Sequence, residues 1–206
     1  MKQTILKYIS LLAFLGSPFF SSQTFAAECA TGTAPLAGCT IDVSDITYTL
    51  TGNITPASGD IGIEFNTGAD RNDVTQTGNI TTTGDNAQGL RLSGSDSNTT
   101  NLTGNITTTG FRSYGLRLAG SDSNTTNLTG NITTTGDTAD GLSLLLSDSN
   151  TTNLTGNIST TGAGALGLHL ESSESNTTNL TGNITTTGDA AYGLYLFTSD
   201  SNTTNL

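Results

Sequence analysis

A single 26-residue unit, written four times without a gap and begun a fifth time, decides what this chain can fold into. The stretch from Gly84 to Thr109 restarts at Gly110, Gly136, Gly162 and Gly188. A repeat of that length is the signature of stacked units, because one unit is too small to enclose its own apolar face and must borrow a wall from each neighbour. Within the unit the strong aliphatics Leu90, Leu92, Leu102 and Ile106 share one parity. Arg91, Asn101, Thr103, Asn105 and Thr107 take the other. Alternation of period two means strands with one wet face. Gly84, Gly89, Gly94 and the run Ser95 to Asn98 supply turn chemistry between them.

Each unit therefore reads as one coil of two or three short strands, stacked in parallel on the next. Stacking places Asn101 over Asn127, Asn153, Asn179 and Asn205, and Leu102 over Leu128, Leu154, Leu180 and Leu206. Amide ladders and aliphatic columns steady stacks of this kind. The run Thr107, Thr108 and Thr109 reads as an exposed strand, which threonine favours. The grammar starts before the clean copies: Ile46, Tyr48 and Leu50 alternate with Thr47, Thr49 and Thr51, and Ile63 to Phe65 stands for Leu90 to Leu92. The expected array runs from 46 to 206, divergent to about 83, regular from 84, and incomplete at its C-terminal end. Terminal units diverge because they must cover an open core.

Residues 1–26 read as a secretory signal peptide. Lys2 and Lys7 precede an apolar stretch that runs from Ile9 to Phe20, and Thr24 and Ala26 place small residues before a cut ahead of Ala27. Ser17 and Pro18 break that stretch, which is too short to span a bilayer. Residues 27–45 form a non-repeating cap segment holding Cys29 and Cys39. In an oxidising compartment, two closely spaced cysteines read as a disulfide. Leu36 to Cys39 also matches a lipoprotein cleavage box, although Ala26 to Pro35 separate it from the signal's apolar core.

The formal charge is -11, from 17 acidic and only 6 basic residues. Nucleic acids and anionic membrane surfaces need clustered Lys and Arg, so that balance argues against both. It also leaves scarce material for an active site. No nucleophile–base pair or pair of acids stands out in a unique pocket, so the chain reads as a non-enzyme.

The unit from Gly84 to Leu90, its copy from Gly188 to Leu194, and the Gly104 to Thr109 motif between them resemble the repeat-rich passenger regions of bacterial autotransporters. That resemblance covers roughly residues 46–206 plus the signal. It implies an all-β fold, a right-handed parallel β-helix, exported and displayed at the cell surface or outer membrane, or released. It also implies a C-terminal outer-membrane β-barrel translocator as partner. The chain stops at Leu206 inside a unit, and the reading here is a fragment lacking that barrel. Adhesion to a host-cell or matrix glycan or protein, or self-association, is the expected role. A carbohydrate-active β-helix enzyme with its catalytic part elsewhere is the alternative.

Two sets of residues are candidates for contact. Phe111, Arg112, Tyr114 and Arg117 in one unit, and Tyr192, Tyr195 and Phe197 in another, are the residue types that dominate interfaces. The acids Asp96, Asp122, Asp148, Glu174 and Asp200 recur at one turn position. Beside Ser97 and Asn98 they form a candidate Ca²⁺ column, since calcium takes oxygen ligands. His169 stands at the outward position held by Arg91, Arg117, Ser143 and Tyr195 in other units, where an isolated exposed side chain is expected.

Overall fold

A computed structural model of the chain describes residues 27–29, 32–33 and 38–206; the signal-peptide reading lies outside them. Among the described residues every paired strand is parallel, and the strands form three sheets of eight, five and eight members. The fold is an all-β parallel solenoid. Each regular coil contributes one strand to each sheet. In the first regular coil these are Leu90–Ser93 in sheet A, Thr99–Thr103 in sheet B and Ile106–Thr109 in sheet C. Three strands per coil settle the number that periodicity left open.

Register follows the repeat. Leu116 pairs with Leu90, Asn127 with Asn101 and Ile132 with Ile106, each one coil apart. Where the array diverges, the turns absorb the difference. Cys39 pairs with Ile63 and Ile63 with Leu90, but Asp73 to Thr77 regain the common register with Thr99 to Thr103. The sulfurs of Cys29 and Cys39 are joined. Cys39 is fully buried and continues the column of Ile63 and Leu90, so the disulfide heads the core of sheet A. A bridged, buried sulfur is no lipidation site.

The four expected aliphatics all point inward, and Leu102, Leu128, Leu154 and Leu180 are buried as one column. Gln76 interrupts that column between Leu50 and Leu102. Its amide donates to the Gly52 carbonyl at 2.7 Å, while its Oε1 has no partner. Ile46 departs from its expected side: it is 42% exposed and precedes the strand that buries Tyr48 and Leu50.

The threonine run also departs from expectation. Thr82, Thr108, Thr134 and Thr160 are buried, each two residues after the isoleucine that opens its strand. The hydroxyls of Thr82 and Thr134 donate to the carbonyls of Ala87 and Ala139 at 2.6 Å, and Thr108 does the same to Ser113. Strand parity accounts for this. Two residues after the inward Ile106 the chain faces inward again, so the polar side chain there needs a partner inside the coil.

A second inward ladder runs through the turns. The backbone N–H groups of Asn98, Asn124 and Asn150 donate to the side-chain oxygen of the asparagine one coil on, each at 2.8 Å. The Ser95, Ser121 and Ser147 amides reach the next serine hydroxyl at 3.0 to 3.2 Å. On the wet face of sheet B the expected amide ladder is present: Asn127, Asn153 and Asn179 each donate from Nδ2 to the preceding Oδ1 at 2.8 Å.

Glycine sets how closely coils approach. A Cβ on Gly130 would lie 2.0 Å from the Gly104 carbonyl oxygen, and the residue has φ +148. Gly120 has open space around it, although its φ of +57 also disfavours a side chain. Gly130→Ala should therefore lower stability by roughly 3 kcal/mol and Gly120→Ala by only about 1 kcal/mol. Chemical denaturation followed by circular dichroism at the strand signal measures both.

Candidate functional site

The outward surface differs from sheet to sheet. On sheet B the columns are constant across the regular coils: Thr99, Thr125, Thr151, Thr177 and Thr203, beside the asparagine ladder. On sheet A the corresponding column runs Glu64, Arg91, Arg117, Ser143, His169, Tyr195. Its neighbour on the same strands runs Ser93, Ala119, Leu145, Glu171, Phe197. These residues share a backbone geometry and nothing else, so the variation is in what the face can touch.

The predicted contact residues all gather on or beside this face, in two groups. In the first, the Arg117 guanidinium lies 4.8 Å from the centroid of the Tyr114 ring, and that of Arg112 lies 5.3 Å from Phe111. Burial pushes the Tyr114 hydroxyl above its ordinary pKa, and Asp140 and Glu171 add to that push, while Arg117 and Arg112 oppose it. In the second group Tyr195 stacks on Tyr192 and Phe197, with centroids 6.0 and 6.4 Å away. Phe111 is 46% exposed.

Between the groups lies a cluster that the sequence did not reveal. His169 is not an isolated exposed residue: its side chain is only 18% exposed, and its Nδ1 lies 2.9 Å from Asp140 Oδ2. A carboxylate can only accept, so Nδ1 donates. Asp140 is buried, and its Oδ1 takes the Leu166 backbone N–H at 2.8 Å. The other ring nitrogen faces Glu171 at 3.6 Å, and Tyr195 meets the imidazole edge-on at 5.5 Å. The only sequence signal was Asp140 itself, an acid at the position filled by Gln88, Tyr114, Leu166 and Tyr192 in other coils.

The acidic column is exposed, and one oxygen of each of Asp96, Asp122 and Asp148 already has a partner. Asp96 Oδ1 accepts the backbone N–H of Asp122 at 2.8 Å, and Asp122 and Asp148 repeat the contact with Asp148 and Glu174 at 2.7 Å. Asp200 extends the column, with its backbone carbonyl accepting from Ser175. Asn98, the neutral oxygen expected to help hold calcium, is buried with its Oδ1 accepting from Asn72. Among the described residues no three His, Cys, Asp or Glu side chains are grouped to hold a metal ion.

A family model described as periplasmic copper-binding protein (NosD) matches residues 30–205. The chain belongs to the NosD family. No curated protein and no solved structure matches it. The NosD match covers nearly all of the solenoid, and its periplasmic description fits an exported repeat protein. Copper is another matter. Its usual ligands are imidazole, thiolate and thioether. This NosD-family chain has one His, one Met at its first position, and two Cys that are bonded to each other. The imidazole has a carboxylate at each ring nitrogen, on opposite edges, and so cannot share one ion with both. The residues present do not fit a copper site.

Two expectations follow from these electrostatics. Asp122→Asn keeps the Oδ1 acceptor and removes one of a row of like charges about 4.8 Å apart. The Asn53, Asn79 and Asn105 column already makes that contact without charge. The variant should melt at or above the wild-type temperature in low salt, whereas Asp122→Ala should melt lower; differential scanning calorimetry at two ionic strengths separates them.

Glu64 behaves differently. Burial raises its pKa above the ordinary 4.5, and the Arg91 guanidinium 3.2 Å away only partly opposes this. The folded state therefore holds the proton more tightly than the unfolded one. Stability is lost as pH rises from about 4.5 through the raised folded value. Glu64→Gln should be the more stable protein at neutral pH, with the advantage vanishing in acid, as denaturation across pH 3 to 7 would show.

Proposed function

We propose that this exported β-solenoid is a passenger-type recognition protein that presents sheet A to a glycan or protein on a cell or in a matrix. Sheets B and C keep the coils in register; catalysis has no part in it. The observation that carries this reading is the contrast between faces. Coils that agree almost residue for residue on sheets B and C differ at nearly every outward position of sheet A. Age cannot explain this, because all three faces were copied together. The residues placed there include Arg91, Arg117, Tyr195 and Phe197, with the hydrogen-bonded Asp140 and His169 side chains beside them, and aromatic and Arg side chains are the anchors that supply most binding energy at interfaces.

The likeness to autotransporter passengers supports delivery through an outer-membrane barrel to the cell surface, with the stack serving as a rigid spacer. Self-association through the same face is the reading's second form, since exposed aromatic stacks pair readily with one another.

Replacing Tyr192, Tyr195 and Phe197 with Ser tests the reading directly. Binding to host cells or to arrayed glycans and matrix proteins should weaken roughly tenfold or more, with an unchanged strand spectrum. Unchanged binding by a folded variant would remove the face from the function.

A further inference from the structure

We propose that the sheet A face binds an anionic polysaccharide bearing carboxylates, through Arg112 and Arg117. This rests on the recognition face proposed above and names its ligand class. The argument begins with where positive charge lies in a strongly acidic molecule. Beyond residue 26 the only Lys or Arg side chains are Arg71, Arg91, Arg112 and Arg117. All but Arg71 belong to sheet A or to the turn that leads into it. Arg71 is held by Asp45 at 2.7 Å and Arg91 by Glu64 at 3.2 Å.

Arg112 and Arg117 are different. Among the described residues neither has a carboxylate within ion-pair distance. Acids in the neighbouring coils have other partners. Asp140 is taken by His169 and the Leu166 amide, and Glu171 faces the other edge of the same imidazole. Asp85 accepts the Phe111 amide, and Asp137 accepts that of Ala163. Both free guanidiniums instead lie over aromatic rings. The Arg117 Nε is buried without an acceptor.

A guanidinium stacked on a ring keeps its N–H edge for an incoming planar anion, and a carboxylate matches that edge with two parallel hydrogen bonds. The exposed ring of Phe111 supplies flat apolar surface beside Arg112. A chain of uronate sugars offers both partners in alternation: carboxylates for Arg, and sugar C–H faces for the rings. An acidic peptide offers the first and lacks the second.

The test is surface plasmon resonance of the full chain on immobilised polygalacturonate, with dextran and polyglutamate as comparators. Binding to polygalacturonate should be at least tenfold tighter than to either and should fall as salt rises. Arg112→Gln with Arg117→Gln should cost at least tenfold, while Arg71→Gln changes nothing. Arg112→Lys with Arg117→Lys keeps the charge but not the planar edge, and should recover only part of the loss.

Equal affinity for dextran, or an unaffected Gln pair, overturns the anionic ligand. Equal affinity for polyglutamate overturns the polysaccharide. If the Gln pair is silent but the Tyr192, Tyr195 and Phe197 variant still loses cell binding, the recognition face stands and only the ligand class falls. If both are silent, the face itself falls.

Discussion

The whole structure depends on parallel strands meeting their neighbours in register, coil after coil. In such a stack the backbone N–H and C=O groups of one coil are satisfied by the coils on either side, so no coil completes its hydrogen bonding alone. Register demands constant length, and the regular coils have it. It also demands that backbones come close at the corners. The Gly78, Gly104, Gly130, Gly156 and Gly182 column sits where an added Cβ would strike the carbonyl of the coil before. Glycine there is a condition of stacking.

Side-chain ladders then divide the labour by face and depth. Inside, Asn98, Asn124 and Asn150 tie turn to turn, and the buried threonines fold back on their own coil. Outside on sheet B the Asn101 column does the same in the wet. Even the acidic turn column is part of the joinery, since Oδ1 of Asp96, Asp122 and Asp148 receives the next coil's amide. A row of acids that looks like an ion site in one dimension is, in three, a row of hydrogen-bond acceptors. What remains uncommitted is sheet A, and that is where the residues differ.

Much of the frame was legible because strand parity and the repeat length fix it together. Leu90, Leu92, Leu102 and Ile106 announced the inward face, the array announced its register, and Cys29 and Cys39 announced their bridge. Thr108 was misread because a run of identical residues carries no parity signal of its own; only counting from Ile106 places it inside. Asp140 and His169 escaped for another reason. They stand 29 residues apart, one coil plus three, and no pattern of period 26 joins them. Contacts that cross from a turn in one coil to a strand in the next belong to the winding of the chain. The candidate contact residues were legible by type, but the feature that distinguishes Arg112 and Arg117, their freedom from acids, depends on side-chain geometry that no spacing reveals.

The interchangeable register of sheets B and C has an evolutionary corollary. Excising residues 110–135 would leave a continuous chain in which Gly136 follows Thr109, as Gly110 does now, and every ladder would close again. The frame would not notice. The outer face of sheet A would, because Ser143 would then lie beside Arg91 and the unpaired arginines would be gone. Slippage between near-identical copies thus reshuffles the contact surface in whole cassettes while leaving the scaffold intact, so such a protein can change what it touches without first having to survive a change in how it folds.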